Sequence, residues 1–96
     1  MIPVHPGRIL RRELAARGLS ANRLALELKV PSGRITDILN GKRGISPETA
    51  LRLERFLGAS ARFWLNLQSA YELALAERTI GPRVIDEVKP AAATAA

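Results

Sequence analysis

Between Leu19 and Leu39 two short apolar-periodic segments are joined by only Lys29, Val30 and Pro31, a connection too tight for anything but two closely coupled elements. Ser20 is a favoured helix N-cap, and Leu24, Ala25 and Leu28 recur on one side of the segment it opens. After Pro31 the period resumes with Ile35, Ile38 and Leu39, and Asn40-Gly41 supplies the usual left-handed stop. Two short helices, coupled at a fixed angle, are the expectation.

The flanking segments are helical too. His5-Pro6 opens a first helix, with Pro6 at the first helical position, Ile9, Leu10 and Leu14 on one side and Gly18 as its stop; His5 reads as a cap or surface residue. Ser46-Pro47-Glu48-Thr49 is the strongest local signal, combining an N-cap, a first-turn proline and an acid placed against the helix dipole. Ala50, Leu53, Phe56 and Leu57 form the stripe of this fourth helix, which Gly58 closes. Ser60 caps a fifth, from Ala61 to about Glu77. Phe63, Leu67, Ala70 and Ala74 mark one face of it, while Trp64, Leu65, Tyr71, Leu73 and Leu75 carry apolar surface around the rest. After Arg78 the pattern is lost: Gly81-Pro82 breaks the helix, Val84, Ile85 and Val88 suit a short extended contact, and the last seven residues, from Pro90, read as disordered.

The expected architecture is therefore all-α, a five-helix domain over residues 1–78 with a flexible, partly disordered tail over 79–96. A length of 96 residues supports one core, and with aromatics at 4% that core must be aliphatic. Cysteine is absent, which excludes disulfides, thiolate catalysis and Cys-type zinc sites. No apolar run approaches the roughly 20 residues needed to cross a bilayer, and the N-terminus lacks the features of a signal peptide. A cytoplasmic protein without membrane contact is expected. With a single histidine and no paired carboxylates in a recognisable pocket, the sequence argues against an enzyme and suggests no metal or cofactor.

The net charge of +6 is unevenly placed. Residues 1–43 carry nine basic side chains, Arg8, Arg11, Arg12, Arg17, Arg23, Lys29, Arg34, Lys42 and Arg43, against three acids, Glu13, Glu27 and Asp37, whereas the remainder is neutral. One half is thus suited to polyanions. With Ile35 at the centre of the buried face, steps of about 100° per residue put Gly33, Thr36, Asp37 and Asn40 on the opposite side of the third helix. Ser32, Gly33 and Arg34 occupy its first turn. A second helix that is apolar inward and small or polar outward fits a DNA major groove. Gly33 permits close approach, Arg34 can donate a fork of hydrogen bonds to guanine, and Thr36 can offer its methyl to thymine. Asp37 either accepts from cytosine N4 or orients Arg34. Asn40, Lys42 and Arg43, in a loop that also offers backbone amides, suit phosphates, and Asn22 and Arg23 suit the opposite strand.

The run from Leu19 to Arg43 resembles the helix-turn-helix of phage Cro and λ-repressor-like proteins. His5-Pro6-Gly7, the run from Leu39 to Leu53, and Phe63-Trp64-Leu65-Asn66-Leu67-Gln68 through Leu73 resemble the HigA family of bacterial antitoxins. That resemblance implies a homodimer that represses its own operon at an inverted repeat and binds a HigB toxin, a small RelE-type ribonuclease. It also implies that Ser32, Gly33, Arg34, Thr36 and Asp37 read the bases. Two positions depart from the repressor pattern: Ala21 stands where a glutamine is frequent, and Lys29 where glycine is frequent, so either a strained residue sits in the turn or the turn is shaped differently.

Independently of the family, the apolar excess of the fifth helix predicts dimerisation through Phe63, Trp64, Leu67, Tyr71 and Leu75, with paired half-sites about 34 Å apart or a multiple. The alternative places Trp64 and Tyr71 in the core of a single chain, with Asn66 and Gln68 as surface amides or interface hydrogen bonds. Two functional rivals remain: a free-standing helix-turn-helix regulator without a toxin, and a protein-interaction module of the same fold that no longer binds DNA.

Overall fold

The computed structural model describes residues 2–92. Among these there are six α-helices and no strand: α1 Pro6–Arg17, α2 Ala21–Leu28, α3 Ser32–Leu39, α4 Pro47–Leu57, α5 Ala61–Thr79 and α6 Gly81–Glu87. Polar caps set the starts of four. His5 Nδ1 accepts from Gly7 N at 2.9 Å, Ser20 Oγ from Arg23 N at 3.0 Å, Ser46 Oγ from Thr49 N at 3.3 Å and Ser60 Oγ from Phe63 N at 3.0 Å. Gly18 and Gly58 end α1 and α4 in the left-handed region, as does Lys29 at the end of α2 with φ 61° and ψ 43°. The strained alternative for the turn is the one adopted.

The helices are tied together where backbone groups would otherwise be left unpaired. Arg52 Nη1 donates to the Leu28 carbonyl at the end of α2, at 2.9 Å, and Arg17 Nη2 donates to the Leu57 carbonyl at the end of α4, also at 2.9 Å. Glu54 Oε2 accepts from Ala61 N at 2.9 Å, joining α4 to the start of α5. A side chain at Gly7 would run into the Ile38 carbonyl, so α1 meets the end of α3 backbone to backbone. The loop that follows α3 lies beside that contact.

The core joins Leu10 and Leu14 of α1, Leu24, Ala25 and Leu28 of α2, Ile35 and Ile38 of α3, Ile45, and Ala50, Leu53 and Leu57 of α4. Trp64 completes it, 1% exposed. This is the single-chain alternative for that residue, and it removes Trp64 from the expected pairing surface. The inward face of α5 is centred on Trp64 and continues to Ala74, while Phe63 turns outward, 41% exposed, its ring edge-on to Trp64 at 5.1 Å. Phe63 was expected on the pairing surface, and its exposure leaves it available there, whereas Trp64 is not. Because α5 is apolar nearly all round, its register is decided by the fit against its neighbours and not by its own period. Phe56 likewise leaves the expected α4 stripe and is 37% exposed.

A further correction is α6. The extended contact expected at Val84, Ile85 and Val88 is instead a helix through Glu87, with Val88 just beyond it. Gly81-Pro82 ends α5 as expected, but proline suits the first turn of a helix as well as it stops one, and Val84 N donates to the Ile80 carbonyl at 3.0 Å to start the next. The expected tail is thus helical from Gly81 to Glu87, and α6 packs on α5. Residues 88–92 have no regular secondary structure; most of the stretch expected to be disordered lies outside the described residues.

Candidate nucleic-acid interface

α3 presents Ser32, Gly33 and Thr36 to solvent, with Asn40 just past its end, while Ile35 and Ile38 are buried beneath. Open space surrounds the place where a side chain at Gly33 would stand. The Thr36 hydroxyl donates to the Ser32 carbonyl at 3.2 Å, which occupies its proton within the helix. Asp37 is half-buried, and its carbonyl accepts from both Lys42 N, at 2.8 Å, and Arg43 N, at 3.2 Å. These bonds fold the loop back against the end of α3.

Arg34 is the residue whose surroundings differ most from expectation. Its side chain is 25% exposed, and Nη1 lies 3.7 Å from Glu48 Oε2 at the start of α4. Arg52 Nε approaches the same carboxylate oxygen at 3.1 Å. Among the described residues Asp37 makes no ion pair with Arg34, and the carboxylate beside Arg34 is that of Glu48. Sequence reasoning had seen Glu48 only as a dipole partner of its own helix, since nothing local brings α4 to Arg34.

The phosphate candidates divide. Lys42 and Arg43 are exposed and, among the described residues, make no ion pair. Three of the loop amides, however, are taken: Gly41 N donates to the Ile38 carbonyl at 3.1 Å, and those of Lys42 and Arg43 go to Asp37. The expectation that these amides are offered to phosphates is corrected; the loop offers cationic side chains. Asn40 is exposed and its Oδ1 accepts from Arg11 Nη2 at 3.3 Å. At the start of α2, Asn22 is exposed and Arg23 Nη2 pairs with Glu27 at 3.1 Å.

Two further residues brace this loop, and sequence reasoning missed both roles. Gln68 on α5 accepts from Ile45 N at 2.8 Å through Oε1, which fixes the exit of the loop. A side chain at Gly44 would meet Gln68 Nε2 at 2.7 Å, so a larger residue there has to push the Gln68 amide aside. His5 packs under the loop from the other side, edge-on to Tyr71 at 4.9 Å. Burial lowers its pKa below the usual 6.5, opposed by a hydrogen bond to the Arg43 backbone. The spacing of His5 and Gln68 from the loop in sequence gave no signal of either contact.

Away from α3, the five residues expected to pair two copies are dispersed. Phe63 and Leu75 are each 41% exposed, Leu67 and Tyr71 are half-buried, and Trp64 is interior. Exposed apolar surface continues instead beyond them, where Leu73, Ile80, Val84 and Ile85 line a groove between α5 and α6. Among the described residues no helix is long and apolar enough to cross a membrane.

The fold is shared with known proteins. Residues 10–64 match the family model described as Helix-turn-helix. The structure superposes on an addiction module antidote protein of the HigA family from Coxiella burnetii with a TM-score of 0.91 and 48% identity, covering 95% of this chain and 100% of that one. This chain belongs to the HigA family of helix-turn-helix proteins. A second HigA-family structure, the Pseudomonas aeruginosa antitoxin HigA with the higBA promoter, is 44% identical with a TM-score of 0.90, over 93% of this chain and 98% of that chain. Virulence-associated protein I of Dichelobacter nodosus is 51% identical over 79 residues, 81% of this chain and 73% of its own length. HigA membership covers α6 as well as the five helices expected from sequence.

Proposed function

We propose that this chain is a DNA-binding antitoxin that represses its own operon and neutralises a HigB-type ribonuclease toxin. The observation that carries the reading is the exposed strip of α3 followed by the exposed Lys42 and Arg43, on a HigA fold whose Pseudomonas aeruginosa relative was solved with the higBA promoter. Ser32, Gly33, Arg34, Thr36 and Asp37 enter the major groove, while Asn22, Arg23, Asn40, Lys42 and Arg43 hold the backbone. Two copies joined through the exposed apolar residues of α5 and α6 place two reading helices on an inverted repeat.

Footprinting on the DNA upstream of its own gene tests this. Arg34→Ala should cost about 1–3 kcal/mol on the protected site and relax preference at one base pair. Equal losses on protected and random duplexes would assign Arg34 to phosphate instead. Co-purification with the product of the adjacent reading frame tests the toxin; a purified complex without loss of ribonuclease activity would contradict neutralisation, and no complex at all would favour a free-standing regulator.

A further inference from the structure

We infer that Arg8 and Arg11 of α1 form a seat for a DNA backbone phosphodiester beyond the reading helix, an inference that rests on the DNA-binding reading above. The groove between the start of α1 and the end of α3 is lined by Val4, His5, Arg8, Arg11, Asn40 and Gly41, among others, and no acid lines it. Arg11 Nη2 donates to the Leu39 carbonyl and to Asn40 Oδ1, each at 3.3 Å, which holds the guanidinium at the end of α3. A guanidinium carries five N–H donors, and those on Nε and Nη1 of Arg11 are not taken up in these bonds.

Arg8 stands one turn away on the same side of α1. Among the described residues neither Arg8 nor Arg11 has an acidic partner, in contrast to Arg17, Arg23, Arg34, Arg52 and Arg83. Neighbouring like charges on one helix face are unfavourable until an anion joins them, and two forked donors match phosphate geometry. The groove is continuous with the Lys42 and Arg43 loop through Asn40 and Gly41. The close contact of Gly7 with the Ile38 backbone moves the seat and the reading helix as one body. An acidic protein surface has no need of a concave seat aligned with the phosphate loop.

The test compares wild type, Arg8→Gln, Arg11→Gln and the double variant on a protected promoter duplex and a random duplex across a salt series, with Arg62→Gln on α5 as a remote charge control. Loss of one phosphate contact flattens the slope of log affinity against log salt by about 0.9, and the double variant by about 1.8. The expected result is that flattening, with the same fold-loss on both duplexes and an unchanged slope for Arg62→Gln. Among the described residues the Arg8 side chain makes no hydrogen bond, so its single variant carries the test even if loss of the Arg11 bonds disturbs folding. A double variant with the wild-type slope, a loss confined to the promoter duplex, or equal flattening by Arg62→Gln overturns the seat while leaving DNA binding intact. A wild-type protein with no salt-dependent duplex binding overturns the functional reading and the seat together.

Discussion

Replacing Glu48 with glutamine should tighten DNA binding, although it removes an acid from a position where helices favour one. The Glu48 carboxylate lies 3.7 Å from Arg34 Nη1 and is 60% exposed. At that distance a pair in a water-like dielectric is worth about 1 kcal/mol, and exposed pairs measure about 0.2–1 kcal/mol. Taking about 0.5 kcal/mol as the cost of freeing Arg34 for a base gives a gain of about twofold. Removal of a negative charge near the backbone adds to this, for about two- to fivefold in all. The fold loses in exchange about 0.3–1 kcal/mol of dipole stabilisation at the start of α4 and part of the contact to Arg52. Fluorescence anisotropy on the promoter duplex measures the first effect and urea unfolding the second. The decisive control is the same change in an Arg34→Ala background, where the part that comes from releasing Arg34 must vanish. An equal gain in both backgrounds, or weaker binding by Glu48→Gln, would refute the reasoning.

Gly7→Ala should destabilise the fold by about 1–3 kcal/mol, since the added methyl overlaps the Ile38 carbonyl, whereas the same change at an open helix site stabilises; a midpoint at or above wild type in urea would contradict the backbone contact. Lys29→Gly should raise stability by about 0.5–1 kcal/mol, because φ 61° strains any residue with a Cβ, and a lower unfolding midpoint would show the turn to be relaxed. His5 accepts from Gly7 N through Nδ1 and so must be neutral there; its pKa is lowered by burial, so its contribution is fully present above pH 6.5 and is lost as pH falls through the lower folded value. His5→Asn, which keeps a neutral cap, should flatten the decline in thermal midpoint on the acid side, and an unchanged decline would assign it to other groups.

Much of this fold was legible because its signals are local. Ser20, Ser46 and Ser60 cap the helices they were expected to cap, and Gly18 and Gly58 stop the helices that precede them. These depend on a few neighbouring residues and survive any tertiary arrangement. Whether Trp64 lay in the core or on a pairing surface was open in the sequence, because a helix with apolar residues on many sides carries little periodic information. Gly81-Pro82 was read as an end when it is also a beginning. The exposed strip of α3 follows directly from Ile35 and Ile38 facing inward, so Ser32, Gly33 and Thr36 could be named in advance. What could not be named were its supports: Glu48, Gln68 and Arg11 reach the strip or its loop from other helices, and no spacing in the chain announces such contacts.

The central claim is that α3 and its loop grip duplex DNA through phosphates and discriminate through bases. Affinity of the wild-type protein for promoter and random duplexes, measured from about 50 to 200 mM salt, tests it most directly. The account predicts a steep linear fall of log affinity with log salt on both duplexes, with the promoter duplex bound at least about 10³-fold more tightly. A shallow slope, or equal affinity for the two duplexes, would contradict it.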